Sequence, residues 1–569
     1  HAQGVALLGA GEQRLQLGNA LTADGPAAGL TAAYQAPPID AVIGFYEKHE
    51  GDLHNSLAYV RCGSSAEILH IHRKAFLPTY GLFDEERFVE RGYEIRAFDA
   101  PWGRAAMLVC EDAWHSLTGL IAALDGAHVV FVSSASPARG AFERVDGASI
   151  PGSVARWDRL IRGISEEHGV FVTLASLVGS EGGRMFQGGS LVVGSRGATR
   201  AKAPAFEESL LTATIDLDDI TKARADSPLL SDMRTMLPKL RLELERSLGG
   251  GNGPRTQGAG PKTEDRGPKA VNSGLQSGPA STKPSALDVV AGGDLSRGAP
   301  PPLEIDPALL EKWLLAFLKD EFTRRGFTKA VVGVSGGVDS AVVATLAARA
   351  LGPKDVIGIR MPYRTSSTDS LTHAQQLIDS LGIESRTLDI SDAVDGYLRH
   401  EPDADAARRG NVMARMRMIA LFDLSARHHA LPLGTGNKSE RLLGYFTWHA
   451  DDSPPVNPIG DLFKTQLWAL ARHLGVPKAI IEKPASADLV SGQTDEGDFG
   501  ISYAKADVIL NWLLNGYTAA ELAGRGFDAA EVELVRKRLD GTHWKRKLPT
   551  VAMISGAAIG ESYLRPVDY

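Results

Sequence analysis

Short apolar runs alternate with helix-like segments along most of the chain. In the first half, buried strands are predicted at AAMLVC (105–110), AHVVFVSS (127–134), GVFVTLASLVG (169–179) and GSLVVG (189–194). The apolar positions of residues 154–169 recur at helical spacing between two of these runs. This alternation predicts a layered α/β domain.

A second α/β domain is predicted in the last part of the chain. Asp306 and Pro307 are typical of a helix start, and the apolar spacing continues to about Phe322. KAVVGVSGG (329–337) is typical of a buried strand that enters a glycine turn, and a helix-like run and another strand, DVIGIRM (355–361), follow it. This order predicts a doubly wound parallel sheet.

The segment between the two domains has a different composition. Gly, Pro and Ser dominate residues 246–302, and large apolar residues are scarce. Such a stretch cannot bury enough surface to offset the entropy of ordering it, and ordered loops of this length are uncommon. We therefore predict a domain at residues 1–245, a flexible linker at 246–302 and a second domain at 303–569.

Composition and charge exclude several classes of protein. The 569 residues carry a net charge of −8, which leaves no basic surplus for a nucleic-acid partner. Two cysteines, Cys62 and Cys110, are too few for a disulfide framework or a zinc cage, and they suit a reducing, cytoplasmic setting. No apolar run is long enough to predict a membrane span, and no signal peptide is visible.

The strongest local motif joins the predicted strand to the helix after it. Glycines let the backbone approach phosphate oxygens, and free N–H groups with the helix dipole favour an anion. The carboxylate of Asp339 suits Mg²⁺ that bridges phosphates. A turn whose glycines serve only tight packing is the alternative. The predicted phosphate-binding residues of the motif are Gly333, Val334, Ser335, Gly336, Gly337, Val338, Asp339 and Ser340.

This motif lacks the ending of a Walker loop and resembles the loop of the ATP pyrophosphatase superfamily, which cleaves ATP into AMP and pyrophosphate. Five later motifs narrow the resemblance: GTGNKSE (434–440), NPIGDLFKTQ (457–466), PASADL (484–489), QTDE (493–496) and HWKRK (543–547). In this order they are similar to the synthetase domain of NAD synthetases, an adenine nucleotide alpha hydrolase-like fold. The resemblance implies that ATP adenylates deamido-NAD and that ammonia then displaces AMP.

Adenylation explains several polar residues of this domain. Charge develops on phosphate oxygens, so Mg²⁺ and a lysine are the expected stabilisers. Asp339 and Glu440 are the metal candidates, and Lys464 is the candidate cation, although a lone lysine is more often solvated. The resemblance places Arg360 and Thr435 on ATP. It places Asn411, Arg415, Glu440, Asp451 and Lys545 on deamido-NAD.

Two of these assignments have alternatives. The segment GNVMARMRM (410–418) equally predicts an amphipathic helix, and the basic run around Lys545 is of a kind that is usually solvated. Before Asp451 the family commonly has a basic residue and a glycine, whereas this chain has Trp448, His449 and Ala450.

Cys110 lies at the end of a predicted strand, in MLVCEDAW, where a nucleophile would enter a turn. Taken alone, a buried structural cysteine is the better explanation. The segments RKAFLPTYGLFDE (73–85) and FQGGS (186–190) change this, because with CEDAW they resemble the nitrilase-type carbon–nitrogen hydrolase domain over residues 40–220. The expected fold is a nitrilase-like α-β-β-α sandwich.

The resemblance implies glutamine hydrolysis by a Glu–Lys–Cys triad. The Cys110 thiolate would attack the amide carbon, Lys74 would stabilise the oxyanion, and a glutamate would transfer the proton. Tyr80 and Ser136 match glutamine contacts, and Glu85 is expected to support Lys74.

The triad glutamate has no good match. The family places it in a Pro-Glu-x-x-x-x-Gly-Tyr context well before the first long strand, and Glu12 is the nearest candidate. We therefore expect an N-terminally truncated or divergent chain. The usual basic residue six positions after Ser136 is Phe142 here, with Arg139 or Arg144 as a substitute.

The expected protein is thus a glutamine-dependent NAD synthetase that uses ATP, Mg²⁺ and glutamine or ammonia. An ammonia-dependent enzyme with an inactive N-terminal platform is the alternative that the missing glutamate motif favours. Another ATP pyrophosphatase, such as a GMP synthetase or a tRNA-modifying enzyme, fits the later motifs poorly. Family resemblance suggests a homo-oligomer in which glutaminase and synthetase domains of different subunits are in contact.

Overall fold

The first domain begins with an antiparallel sheet. The computed structural model describes residues 5–8, 39–62, 65–79, 84–140, 150–181, 184–248, 300–486 and 494–547. Four strands pair in chain order: β1 (Val5–Leu8), β2 (Ile39–His49), β3 (Asp52–Cys62) and β4 (Ala66–Arg73). Glu50 and Gly51 both have positive φ, which is the conformation that a two-residue hairpin turn needs between β2 and β3.

A second, mixed sheet follows in the same domain. The next strands are β5 (Ala97–Ala100), β6 (Gly103–Val109), β7 (Val129–Ser134), β8 (Phe171–Ser176), β9 (Val178–Glu181), β10 (Arg184–Gln187), β11 (Leu191–Val193) and β12 (Thr199–Lys202). Six of them form a sheet in the order β12-β11-β8-β7-β6-β5, with β6, β7 and β8 parallel. The strands β9 and β10 form a separate hairpin.

The two sheets pack face to face. Tyr59 of the first sheet packs with Met107 and Phe131 of the second. The helices of this half are α1 (Ser116–Leu124), α2 (Gly152–His168), α3 (Asp218–Asp226) and α4 (Leu229–Leu248). Residues of α1 and α2 cover the other face of the second sheet, where Ile161 packs on Val130. The other helical layer of the predicted sandwich is not among the elements that the described ranges contain.

The second domain contains a parallel sheet with helices on both faces. Its strands are β13 (Lys329–Gly333), β14 (Val356–Arg360), β15 (Glu384–Thr387) and β16 (Ala430–Leu433), in the order β15-β14-β13-β16. Its first helices are α5 (Pro307–Arg325), α6 (Val338–Leu351), α7 (Thr368–Leu381), α8 (Ser391–Leu398) and α9 (Ala406–His428). The remaining helices are α10 (Lys438–Leu443), α11 (Lys464–Leu474), α12 (Lys478–Ile481), α13 (Asp495–Phe499), α14 (Tyr503–Leu514), α15 (Ala519–Gly524) and α16 (Ala529–Gly541).

Helix starts and packing agree with the sequence pattern. The Asp306 carboxylate accepts the N–H groups of Ala308 and Leu309, which confirms the predicted N-cap of α5. Helices α5, α6 and α11 cover one face of the sheet, and α9 covers the other. The doubly wound prediction is therefore confirmed. Within the described ranges, no helix is both long and apolar enough to cross a membrane.

Strand order decides where a ligand would bind. The chain builds β13, β14 and β15 in one direction and then returns to add β16 on the other side of β13. Loops on either side of such a reversal diverge and leave a crevice at the carboxyl ends of the strands. The predicted ATP loop follows β13, Arg360 ends β14, and Thr435 follows β16, so all three reach this crevice.

Candidate active sites

Cys110 occupies a strained turn at the end of β6. It begins the short 3₁₀ helix Cys110–Trp114, and its φ of 46° is uncommon for a residue with a side chain. The hydroxyl of Ser134, at the end of the neighbouring strand β7, lies 3.5 Å from the Cys110 sulfur. The turn therefore presents a half-buried thiol at the carboxyl edge of the sheet.

Lys74 follows β4 directly and has a side chain that is only 2% exposed. Its ammonium forms an ion pair with Glu85, the first residue of the 3₁₀ helix Glu85–Arg87. Asn55 holds both residues, because its amide nitrogen lies 3.2 Å from a Glu85 oxygen and its carbonyl accepts the Lys74 N–H at 2.9 Å. The structure thus brings Glu85 to the position expected of a residue that supports Lys74.

The carboxylate of Asp112 connects the two halves of this site. One oxygen accepts the N–H groups of Ala75 at 3.0 Å and Phe76 at 2.9 Å. The other accepts the N–H of Val109 at 3.0 Å and lies 2.9 Å from Nε2 of His72, which donates. The Asp112 side chain is 0% exposed, so water does not compete for these bonds.

These four bonds fix the chain next to Lys74 to the chain next to Cys110. Val109 directly precedes the nucleophile candidate, and Ala75 directly follows the lysine. Asp112 is therefore a positioning residue of the site. This role has no local signal in the sequence, although Asp112 stands in the CEDAW segment, because its main partners are about 40 residues away.

The surroundings of Cys110 disfavour a free thiolate. Burial raises the pKa of the thiol, and the nearby Lys74 ammonium and the Ser134 hydroxyl only partly offset this, while Glu85 raises the pKa further. A buried thiol of this kind needs a base to become a nucleophile. The candidate base Glu12 and the candidate glutamine contact Tyr80 lie outside the described residues.

The other predicted glutamine contact, Ser136, is half-buried and follows β7. It stands two residues after Ser134, the residue that contacts the Cys110 sulfur. Arg139, one of the two substitutes for the family's basic residue, has an exposed side chain, and Arg144 and Phe142 lie outside the described residues.

The crevice of the second domain contains a cavity of about 330 Å³. It opens at the carboxyl ends of β13, β14 and β16, which agrees with the topology of the sheet. Most of the predicted synthetase residues line it: Gly333, Val334, Ser335, Gly337, Val338, Asp339, Ser340, Arg360, Thr435, Glu440, Asp451 and Lys464.

The ATP loop is held in shape by its own serines. The Ser340 hydroxyl donates to the Gly337 carbonyl at 3.0 Å and accepts the Ser335 N–H at 3.2 Å. Gly336 has φ of 79°, and a Cβ atom there would lie 2.2 Å from the carbonyl oxygen of Ser370. Only glycine fits position 336, because the positive φ and the close carbonyl oxygen both exclude a side chain.

Lys464 is the centre of a charged cluster beside the loop. Its ammonium lies 2.6 Å from an Asp339 oxygen and 3.3 Å from a Glu440 oxygen, and the side chain is 1% exposed. Burial opposes the charge of Lys464, but Asp339 and Glu440 outweigh it and raise the pKa of the lysine. For Glu440, burial and then the Asp339 charge raise the pKa to about 8 despite Lys464.

Two further polar residues complete the cluster. The amide of Asn437 donates to Asp339 at 2.8 Å, and the buried Asp495 accepts the Tyr503 hydroxyl at 2.9 Å. Burial raises the pKa of Asp495 as well, with Lys464 acting in the opposite direction. Asp495 belongs to the QTDE motif, but its place beside Lys464 could not be predicted from that motif.

The cluster fits a magnesium ion in part. Oxygen atoms of Asp339 and Glu440 converge on one point, where the Lys464 ammonium now lies. Among the residues that the structure describes, no three His, Cys, Asp or Glu side chains are arranged to hold a metal. Mg²⁺ is commonly held by one or two carboxylates together with phosphate oxygens and water, which is the set that these two residues could begin.

Three of the predicted dinucleotide contacts are described residues that do not line the cavity. They instead hold the segment that forms part of its wall. The Asn411 side chain accepts the Thr447 hydroxyl at 3.0 Å, and Arg415 donates to the Trp448 carbonyl at 3.2 Å. Lys545 donates to two carbonyl groups of the same stretch, each at 3.0 Å. All three therefore fix residues 444–448, part of which lines the cavity.

Comparison with known proteins identifies the family of each domain. Residues 23–225 match the Carbon-nitrogen hydrolase family, and residues 310–549 match the NAD synthase family. An NH(3)-dependent NAD(+) synthetase of Chlorobaculum parvum is 47% identical over 271 residues, which is 48% of this chain and 98% of that protein. The corresponding protein of Chlorobaculum tepidum is 45% identical over the same length and the same shares.

Two solved structures share the fold of nearly the whole chain. A glutamine-dependent NAD+ synthetase from Acinetobacter baumannii superposes with a TM-score of 0.58 at 21% identity, over 90% of this chain and 81% of that one. One from Cytophaga hutchinsonii has a TM-score of 0.57 at 16% identity, over 89% and 80%. Together with the synthetase relatives, these findings show that the chain belongs to the NAD synthetase family and carries a carbon–nitrogen hydrolase domain ahead of its synthetase domain.

Proposed function

We propose that this protein makes NAD from deamido-NAD, with ATP to activate the acid and glutamine as the source of ammonia. The observation that carries the synthetase half is the Lys464 cluster beside the ATP loop, because it combines a phosphate cradle with a buried cation and two carboxylates. The Lys74–Cys110 site supports the glutamine half.

Adenylation would take place in the 330 Å³ cavity. A carboxylate oxygen of the acid attacks the α-phosphorus of ATP, the bond to the bridging oxygen breaks, and pyrophosphate leaves. Backbone N–H groups at the start of α6 and the Lys464 ammonium stabilise charge on the phosphate oxygens. Mg²⁺ held by Asp339 and Glu440 would neutralise further phosphate charge when bound.

Amide formation completes the reaction. Ammonia attacks the carbonyl carbon of the adenylate, and AMP leaves with the electrons of the broken bond. Ammonia needs its lone pair for this attack. In neutral water it is mostly protonated to ammonium, which has no lone pair, because the pKa of ammonium is about 9, of the order of amine pKa values. A protected path from the glutaminase site would therefore increase the yield.

Glutamine hydrolysis would use the Cys110 turn. The thiolate attacks the amide carbon, and Lys74, held by Glu85, stabilises the oxyanion that forms. The carbon–nitrogen bond then breaks, ammonia leaves with the proton that the base took from the thiol, and water hydrolyses the thioester to glutamate and the free thiol. A base must first remove the thiol proton, since burial raises the thiol pKa. Glu12 remains the candidate for this role, with Tyr80 and Ser136 as candidate glutamine contacts.

The test is NAD formation from deamido-NAD, ATP and Mg²⁺, run in parallel with glutamine and with ammonium. Turnover with both is expected, and Cys110→Ser should abolish only the turnover with glutamine. Turnover with ammonium alone would identify the ammonia-dependent alternative. Absence of turnover with either nitrogen source would overturn the proposal.

Assembly and location are further parts of the proposal. We expect a cytoplasmic homo-oligomer in which the glutaminase and synthetase domains of different subunits are in contact. Light scattering of the purified chain measures the assembly directly, and a monomer at micromolar concentration would contradict it.

A further inference from the structure

A second lysine besides Lys464 lines the ATP cavity. Lys483 lies between α12 and α13, is half-buried, and lines the cavity. Its ammonium lies 2.6 Å from the hydroxyl of Ser370 in the first turn of α7. Sequence patterns assign it no role.

The Lys483 ammonium is adjacent to the ATP loop. The carbonyl oxygen of Ser370 packs so closely on Gly336 that a Cβ atom there would lie 2.2 Å away. Ser370 therefore touches the loop with its backbone and Lys483 with its side chain. In space, only Ser370 lies between the Lys483 ammonium and the turn that would hold phosphates.

Electrostatics at this point favour an anion. The N-termini of α6 and α7, which begin at Val338 and Thr368, both carry partial positive charge. A lysine beside them adds a like charge, and among the described residues no carboxylate forms an ion pair with Lys483. Lys464, in contrast, already has Asp339 and Glu440 as partners. Lys483 is therefore a positive charge at the cavity wall that no carboxylate among the described residues neutralises.

We propose that Lys483 binds the terminal phosphates of ATP and then the departing pyrophosphate, and exchanges the Ser370 hydroxyl for phosphate oxygens. This inference rests on the proposed adenylation. The bond from the α-phosphorus to the bridging oxygen breaks, the electron pair goes to pyrophosphate, and Lys483 neutralises part of that charge without giving up a proton. Its effect is on ATP and pyrophosphate and not on the acid or ammonia.

The test measures binding of inorganic pyrophosphate with Mg²⁺ by calorimetry and pyrophosphate–ATP exchange, using the full chain. Lys483→Met should weaken pyrophosphate binding and raise the KM for ATP by roughly tenfold or more. The KM values for deamido-NAD and ammonium should stay within about twofold. Lys478→Met is the matched control, since Lys478 begins α12 and its side chain is 84% exposed.

Ser370→Ala separates phosphate binding from a merely structural bond. If Lys483 acts on phosphate, removal of the Ser370 hydroxyl leaves the pyrophosphate affinity within about twofold of the wild-type value. If the lysine only anchors its segment, Ser370→Ala reproduces the loss seen in Lys483→Met, and the proposal is overturned. It is also overturned if Lys483→Met behaves like Lys478→Met.

The calorimetric measurement keeps this inference separate from the proposed function. A wild-type chain that binds pyrophosphate but forms no NAD would refute the function and leave the Lys483 comparison intact. A wild-type chain that forms NAD, with no change in Lys483→Met, would refute only the role of Lys483.

Discussion

The hydroxyl of Ser180 lies 2.7 Å from a carboxylate oxygen of Glu321 and joins the hydrolase domain to the synthetase domain. Ser180 belongs to β9, Glu321 belongs to α5, and they are only 1% and 3% exposed. Arg325 pairs with the other oxygen of Glu321, and the rings of Phe206 and Trp313 lie 5.7 Å apart across the same boundary. The buried carboxylate thus has one donor from each domain.

Ser180→Ala should therefore weaken the contact between the two domains and lower the free energy of unfolding. It leaves one oxygen of a buried carboxylate without its donor, which costs about 1–3 kcal/mol. Urea unfolding followed by tryptophan fluorescence measures this loss, with the exposed Ser227→Ala as control. Equal unfolding midpoints for the two variants would show that the bond contributes nothing.

Asp112→Asn should disrupt the hydrolase site without adding bulk. An asparagine has one acceptor oxygen in place of two, so part of the four-bond set of Asp112 is lost. We expect a loss of about 2 kcal/mol or more in the free energy of unfolding, and slower glutamine hydrolysis. Asp99→Asn, whose side chain is 83% exposed, is the control and should change neither quantity.

The pH dependence of Cys110 alkylation tests the electrostatics of the site. In a Cys62→Ser background, Cys110 is the only thiol, and its raised pKa puts the midpoint above the ordinary value of about 8.5. Lys74→Met removes a positive charge that stabilises the thiolate, so the midpoint should rise further. Glu85→Gln removes a negative charge and should lower it. Shifts in the opposite directions would contradict the assigned neighbours of the thiol.

Lys464→Met should abolish the synthetase reaction and leave glutamine hydrolysis in place. The substitution leaves Asp339 and Glu440 facing each other without a counter-charge and removes a phosphate-site cation. We expect NAD formation to fall by about 100-fold or more with either nitrogen source. Lys464→Arg keeps the positive charge at this position and is measured beside Lys464→Met. Circular dichroism shows whether Lys464→Met has lost its fold.

The control for this prediction is Lys438→Met, at the start of the neighbouring helix α10. Lys438 pairs with Asp461, whose side chain is 95% exposed, and a pair of this kind contributes little. A Lys438→Met variant that lost activity as strongly as Lys464→Met would show that the cluster around Asp339 has no special role.

Local features could be predicted from the sequence because their causes are local. The helix start at Asp306, the turn at Cys110 and the glycine loop before Asp339 each depend on neighbouring residues and were found from them. The pairing of Lys74 with Glu85 followed from family resemblance.

Other features depend on contacts that a sequence pattern does not show. Lys483 meets Ser370 across 113 residues, and Asp112 meets His72 across 40. Lys545 reaches the segment around Phe446 from about 100 residues away. The sequence shows that each of these residues is polar or charged. It does not show which residue each one contacts, because the contact forms only when the strands and helices have assembled.

The bonds made by Asp112 also bear on how such a domain can change over time. Because the lysine and cysteine segments are tied to each other directly, the 35 residues between Lys74 and Cys110 do not set the distance between the two side chains. Insertions and deletions in that stretch, at the surface around the 3₁₀ helix that carries Glu85 and beyond it, can accumulate while the reacting groups keep their spacing.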